Sequence, residues 1–178
     1  DGKKGGEFMA LFYKVNKWSI ENENTFWLSD TPDQCSRGWD AMCHRVCTWG
    51  TFISRSSGKK VIISNTHLDH KGEIARSKSV ELLINHLSKI DQSIFSILAG
   101  DFNLSPKDVL YQKLTQKLID TKMLAENINE TYEGTFNGFD KGEYKPPYND
   151  RIDFVFLNKE HKVLDYRVPI VYTEKGLH

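Results

Sequence analysis

Three short segments deliver polar or ionisable side chains at the ends of apolar runs: Asn65–His70 (NTHLDH), Ala99–Asn103 (AGDFN) and Asn149–Phe156 (NDRIDFVF). A charge abutting a buried strand is costly unless it is hydrogen-bonded or holds a metal, so such residues usually have a task. Asp101 is the sharpest case. It stands at the tip of the run Ile94–Ala99, just after Gly100, and Asn103 two residues on shares its outlook. Asp101 and Asn103 either work as a pair in a site or only organise a turn through side-chain hydrogen bonds to the backbone. A lone histidine such as His67 is more often hydrogen-bonded inside a hairpin. Asp153 lies within an apolar strand, and alternation places it on one face with Arg151 and Val155. It either orients an imidazole or pairs with Arg151 at a sheet edge.

The elements that must position these residues can be read from periodicity. Phe8–Val15 and Thr25–Leu28 read as strands separated by the polar ENEN turn, and His44–Ser54 with Val61–Leu68 as a hairpin closed by SSGKK. Between Gly72 and Ile90 the apolar residues Val80, Leu83, Ile84, Leu87 and Ile90 follow helical spacing. Ser93–Ala99 is a continuous apolar run, as expected of a strand covered on both faces. Ser105 and Pro106 open a second helix, with Leu104 and Val109 as a hydrophobic staple. A loop-rich stretch, 130–150, leads to a last strand, Ile152–Leu157. The pattern predicts an α+β sandwich within one domain.

Composition sets bounds. The 178 residues carry 24 Lys+Arg and 24 Asp+Glu, a formal net charge of +0, which argues against a general electrostatic grip on nucleic acid. No apolar run reaches the ~20 residues of a membrane helix. Three cysteines (Cys35, Cys43, Cys47) are too few and odd in number, which argues against a disulfide framework, and small thiols suit a reducing compartment. On a strand, Cys43 and Cys47 stand ~13 Å apart, too far to share a zinc ion. A cytoplasmic monomer is the expectation.

Taken together, THL, GDFN and RIDF in this order resemble the endonuclease/exonuclease/phosphatase superfamily, the deoxyribonuclease-I-like phosphoesterases. TFWLSDTP, GWDAMCHRVCTW and TFNGF extend the likeness over essentially the whole chain. The resemblance implies a four-layer α/β/β/α sandwich with its site at one end. It gives Asp101 the role of activating water, Asn103 that of holding metal or phosphate, and His67 that of stabilising phosphoryl oxygens. Asp153 would pair with a catalytic histidine. Arg45 either faces a substrate phosphate or is a surface cation, and His70 joins the His67 loop. Trp39 and the aromatic-rich 132–139 loop either form a stacking wall or pack locally.

The implied chemistry is metal-dependent hydrolysis of a phosphate ester, with Mg2+ (or Mn2+) held by Asp101 and Asn103, because oxygen ligands suit those ions. The substrate classes left open are nucleic acid, nucleotide, sugar phosphate and phospholipid headgroup. The family's principal metal-binding glutamate and its Ser-Asp-His segment have no counterpart here, so residues 1–178 are expected to be one domain lacking its first and last motif segments. His178, not preceded by Ser-Asp, takes no role. The alternative is a catalytically inactive binding domain on the same fold.

Overall fold

A computed structural model describes residues 7–129, 134–136 and 151–169, and the backbone at 172–173 and 176–177. The elements run β1 (Trp18–Trp27), β2 (Val46–Ser54), β3 (Lys60–His67), α1 (Glu73–Ser88), β4 (Phe95–Asp101), α2 (Val109–Thr115), β5 (Ile119–Asp120), α3 (Thr121–Leu124), β6 (Ala125–Asn129), β7 (Asp153–Leu157), β8 (Val163–Arg167), β9 (Tyr172–Thr173) and β10 (Gly176–Leu177). Six strands form one mixed sheet in the order β1-β2-β3-β4-β7-β5, and β6-β8 and β9-β10 form separate pairs. The α+β class read from the sequence is what the chain has.

β2 and β3 form the expected hairpin, pairing Cys47 with Thr66 through Ile53 with Lys60. β4 lies parallel to β3, reached through α1, which is the crossover a parallel pair requires. The apolar stripe of α1 (Val80, Leu83, Leu87) packs with Leu114 of α2 against Leu98, Phe154 and Phe156 of the sheet. Phe102 sits at the centre of this core, with rings edge-on to Phe154 and Phe156 at 5.8 and 5.2 Å. On the opposite face the 7–14 segment crosses the sheet, with Tyr13 stacked edge-on to Phe52 and the Ala10 carbonyl accepting from Asn65.

Four sequence expectations shift. Phe8–Lys14 joins no strand and Val15 opens a turn, and the ENEN residues lie inside β1, where a register irregularity falls between Ile20 and Asn22. Polar residues fit there because β1 is an edge strand with exposed side chains. The second helix begins three residues later than Pro106. Asp108 caps it by accepting from the Leu110 N–H (2.8 Å), while Ser105 only organises the preceding turn. Val109 is 71% exposed, so no staple forms.

Candidate active site

The site is assembled by strand register. His67 ends β3 opposite Asp101 of β4, and Asp101 is in turn opposite Asp153 of β7. Three residues separated by up to 86 positions thus share one row across the ends of three adjacent strands. Gly100 makes this possible, because a Cβ at its φ of 143° would fall 1.9 Å from the Thr66 carbonyl oxygen. Phe102 then points into the core and Asn103 turns back in the left-handed region (φ 48°), which asparagine tolerates. The Asn103 N–H donates to Asp101 Oδ1 (2.9 Å), and its side-chain amide donates to the Leu68 carbonyl (2.9 Å). The turn-forming reading of the Asp101–Asn103 pair is what the structure shows: the turn is an Asx turn, and Asp101 Oδ2 lies 3.3 Å from His67 Nε2.

The other nitrogen of His67, Nδ1, lies 3.0 Å from Glu7 Oε2, the same oxygen that receives Arg45. Burial, then the Arg45 cation, lower the His67 pKa, and this outweighs the opposing pull of Asp101 and Glu7. A neutral ring has one N–H for two carboxylates, so one carboxylate must rely on its other partner. Glu7 has Arg45, and Asp101 has the Asn103 amide.

Arg45 is 5% exposed, which removes the surface-cation reading. Besides Glu7 it donates to His70 Nδ1 (3.2 Å) and has Asp69 Oδ2 3.6 Å from its Nε. Asp69 is itself buried and accepts from the N–H groups of Cys43 (3.0 Å), Lys71 (3.0 Å) and Gly72 (2.8 Å). Burial works against its charge, but these N–H groups hold its pKa well below the usual carboxylate range.

Asp153 does not pair with Arg151. Arg151 instead meets the buried Asp120 (Nη2 to Oδ2, 2.5 Å), which also accepts from the Tyr111 hydroxyl (2.9 Å), and its guanidinium stacks on Phe154. Arg151 precedes β7, so strand alternation does not govern where its side chain goes. The Thr135 hydroxyl receives the N–H groups of Ile152 (3.0 Å) and Asp153 (3.1 Å) and bonds the Asp153 carboxyl. Burial, reinforced by the Asp101 charge, raises the Asp153 pKa despite Thr135.

Arg45, His67, His70, Asp101, Asn103 and Asp153 therefore stand near this end of the sheet, with Thr135 of the 132–139 loop against Asp153, while Arg151 turns to Asp120. Trp39 is half-buried with a positive φ of 47°, and most of the 132–139 loop, like Asn149 and His178, lies outside the described residues. Sequence reasoning missed Glu7, Asp40, Asp69, Asp120 and Thr135. Only Asp69 and Thr135 carried a signal, standing in NTHLDH and TFNGF.

Two sets of side chains invite a cation. Cys43, Asp69 and His70 place their ligand atoms within 4.8 Å of one another. The two Asp69 oxygens and His70 Nδ1 are already taken by backbone N–H groups and the Arg45 guanidinium, and that nearby cation opposes a second one, so this set does not fit a metal. The ligands expected from the sequence, Asp101 and Asn103, stand with Asp153 at the second set. They are hard oxygen donors, and the two carboxylates oppose each other across adjacent strands, an arrangement a divalent ion relieves.

The family model for the endonuclease/exonuclease/phosphatase family matches residues 1–174. The chain belongs to that family. Among solved structures, the mannosyl-6-phosphatase Bt3783 of Bacteroides thetaiotaomicron is 31% identical with a TM-score of 0.81, over 90% of this chain and 61% of its own. A second family protein from Bacteroides thetaiotaomicron is 33% identical with a TM-score of 0.86, over 100% of this chain and 66% of its own. Protein L388 of Acanthamoeba polyphaga mimivirus is 36% identical over 129 residues, 69% of this chain and 46% of its own length. The chain thus spans about half of that relative and under two thirds of Bt3783. The fold is the deoxyribonuclease-I-like one, and the family generally works with divalent metal ions. Among the described residues, this chain supplies one large sheet with α1 and α2 on one of its faces.

Proposed function

We propose that the protein hydrolyses a small phosphate ester, with Asp101 as the base that aligns and deprotonates water. The observation that carries this reading is the convergence of Arg45 and His67 on a single carboxylate oxygen, that of Glu7, with Asp101 on the far side of the same imidazole. A cation and an imidazole closing on one oxyanion is the arrangement a phosphoryl group needs, and the adjacent Asp101 carboxylate is the base assigned to the attacking water in this reading.

In this reading Arg45 and His67 bind phosphoryl oxygens and His70, oriented by Arg45, presents its Nε2 N–H toward the substrate. Asn103 fixes Asp101 through the Asx turn, and Thr135 fixes Asp153 beside it. Asp101 and Asn103, with Asp153 adjacent, would hold Mg2+ or Mn2+; when bound, such an ion neutralises charge developing on the phosphoryl oxygens. The zero net charge and the likeness to a mannosyl-6-phosphatase favour a sugar phosphate over nucleic acid, nucleotide or phospholipid. The test is release of phosphate from a hexose 6-phosphate by the full-length protein, with and without a divalent chelator. Turnover lost on chelation and restored by Mg2+ is expected; no turnover of any phosphate ester would leave the inactive-binder reading in its place.

A further inference from the structure

We infer that Asp69 is the positioning residue for Arg45: the buried carboxylate that keeps the guanidinium aimed at the phosphoryl position. The inference rests on the reading of Arg45 as a phosphoryl contact. The Arg45 side chain is 4% exposed, and its Nε has no hydrogen-bond partner. A buried guanidinium without a counter-charge is strongly disfavoured. Glu7 is one counter-charge, but its side chain is 57% exposed and its carboxylate occupies the place an anionic substrate would take. Asp69, with Oδ2 at 3.6 Å from Nε and a side chain 1% exposed, is the counter-charge that remains when that place is filled by a substrate.

Asp69 is also fixed in orientation. Its Oδ1 receives Lys71 and Gly72 from the segment that follows His67 and His70, and its Oδ2 receives Cys43 from the segment that leads into Arg45. One carboxylate thus ties together the two pieces of chain that carry the anion-binding side chains. The Arg76 guanidinium adds a bond to the Asp69 carbonyl (2.9 Å), and Asp40 fastens the 38–45 segment to the start of α1. Asparagine cannot substitute. Its amide offers one acceptor where two are used, and its NH2 would confront either the Cys43 N–H or the pair from Lys71 and Gly72.

The experiment is titration of the protein with inorganic phosphate, followed by phosphorus NMR, for the wild type, Asp69→Asn, Arg45→Ala and the double variant, with thermal midpoints measured alongside. Arg45→Ala is expected to weaken phosphate binding about tenfold, and Asp69→Asn to weaken it by a similar factor. The double variant should bind no worse than Arg45→Ala alone, because Asp69 acts through Arg45. A merely structural role would disturb His67 as well and give losses that multiply, which overturns the inference. So does wild-type binding in Asp69→Asn while Arg45→Ala is impaired; the phosphoryl-contact reading then stands by itself. No phosphate binding by the wild type, or none lost in Arg45→Ala, overturns both. Should Asp69→Asn fail to fold, Arg45→Lys carries the test. That variant loses the whole guanidinium fork, so it is read only beside the nitrogen-15 NMR signal of the Arg45 Nε–H in the phosphate-bound wild type: an Nε–H protected from exchange with water, as one held by Asp69 must be, is expected, whereas exchange as fast as in free arginine would overturn the inference.

Discussion

The two oxygens of Asp101 do different work. Oδ1 is committed to the Asn103 N–H, while Oδ2 faces His67. Asp101→Asn can keep the first bond through its carbonyl oxygen and loses the charge. Turnover of a phosphate ester by the full-length protein is therefore expected to fall by ~10²–10⁴-fold, the usual worth of a general base. The thermal midpoint should barely move, which a melting curve on the same preparation checks. Gly100→Ala tests the opposite balance. The added Cβ would collide with backbone at Thr66, so strand β4 must shift away from β3, and a loss of several kcal/mol is expected in denaturant titration. At this scale the legible residues were those at the ends of apolar strands, where a carboxylate or imidazole is out of place unless used. Glu7 was illegible because its partners, Arg45 and His67, lie 38 and 60 positions away and nothing in its own neighbourhood marks it.

Helix α1 starts at Glu73 without a cap of its own, since Gly72 has no side chain to offer. The cap comes from elsewhere in the chain: Asp40 accepts from the N–H groups of Ala75 (2.7 Å) and Ile74 (3.2 Å). A Cβ on Gly72 would lie 2.7 Å from the Asp40 carboxylate, so the glycine is what lets the acceptor approach. Asp40→Ala should cost about 1 kcal/mol of stability, as loss of a cap does, with the change seen as a lower midpoint in urea. It should also loosen the segment that leads into Arg45. The helix itself was visible in the 3.6-residue spacing of Val80, Leu83 and Leu87, but its cap was not, because a cap 32 residues upstream leaves no local signature. The misplaced start of α2 has a local cause instead. Ser105-Pro106 is a sound local start signal, yet Asp108 wins because a turn forms first, closed by the Asp108 N–H on the Ser105 carbonyl. The hairpin β2–β3 and strand β4 were legible because β-branched and aromatic runs buried on both faces have few alternatives.

The molecule as a whole carries no excess of positive charge, so little counterion release can accompany contact with a polyanion. Binding to a 20-base-pair duplex at physiological salt should accordingly be weaker than ~10⁻⁴ M, measured by fluorescence anisotropy; a submicromolar value would redirect the substrate assignment toward nucleic acid. Stability should depend on pH through a group far from the site. His86 is wedged between Phe26 and Trp49, with ring centroids 5.0 and 5.2 Å away, and its Nε2 is buried without a partner. Burial, then repulsion from Lys89, lower its pKa from the ordinary 6.5. The unfolded chain therefore takes up a proton near pH 6.5 that the folded chain refuses until the pH is lower. The unfolded state binds more protons in that window, so stability falls as pH drops through 6.5 and levels off below the folded-state value. His67 acts in the same sense and Asp153, with its raised pKa, in the opposite one. Both remain in a His86→Phe variant, so the difference between variant and wild type isolates His86. Thermal midpoints taken at pH ~7.5 and ~5.5 should fall less on acidification in His86→Phe than in the wild type. Equal falls in the two proteins would show that the Phe26–His86–Trp49 stack accommodates the charged ring.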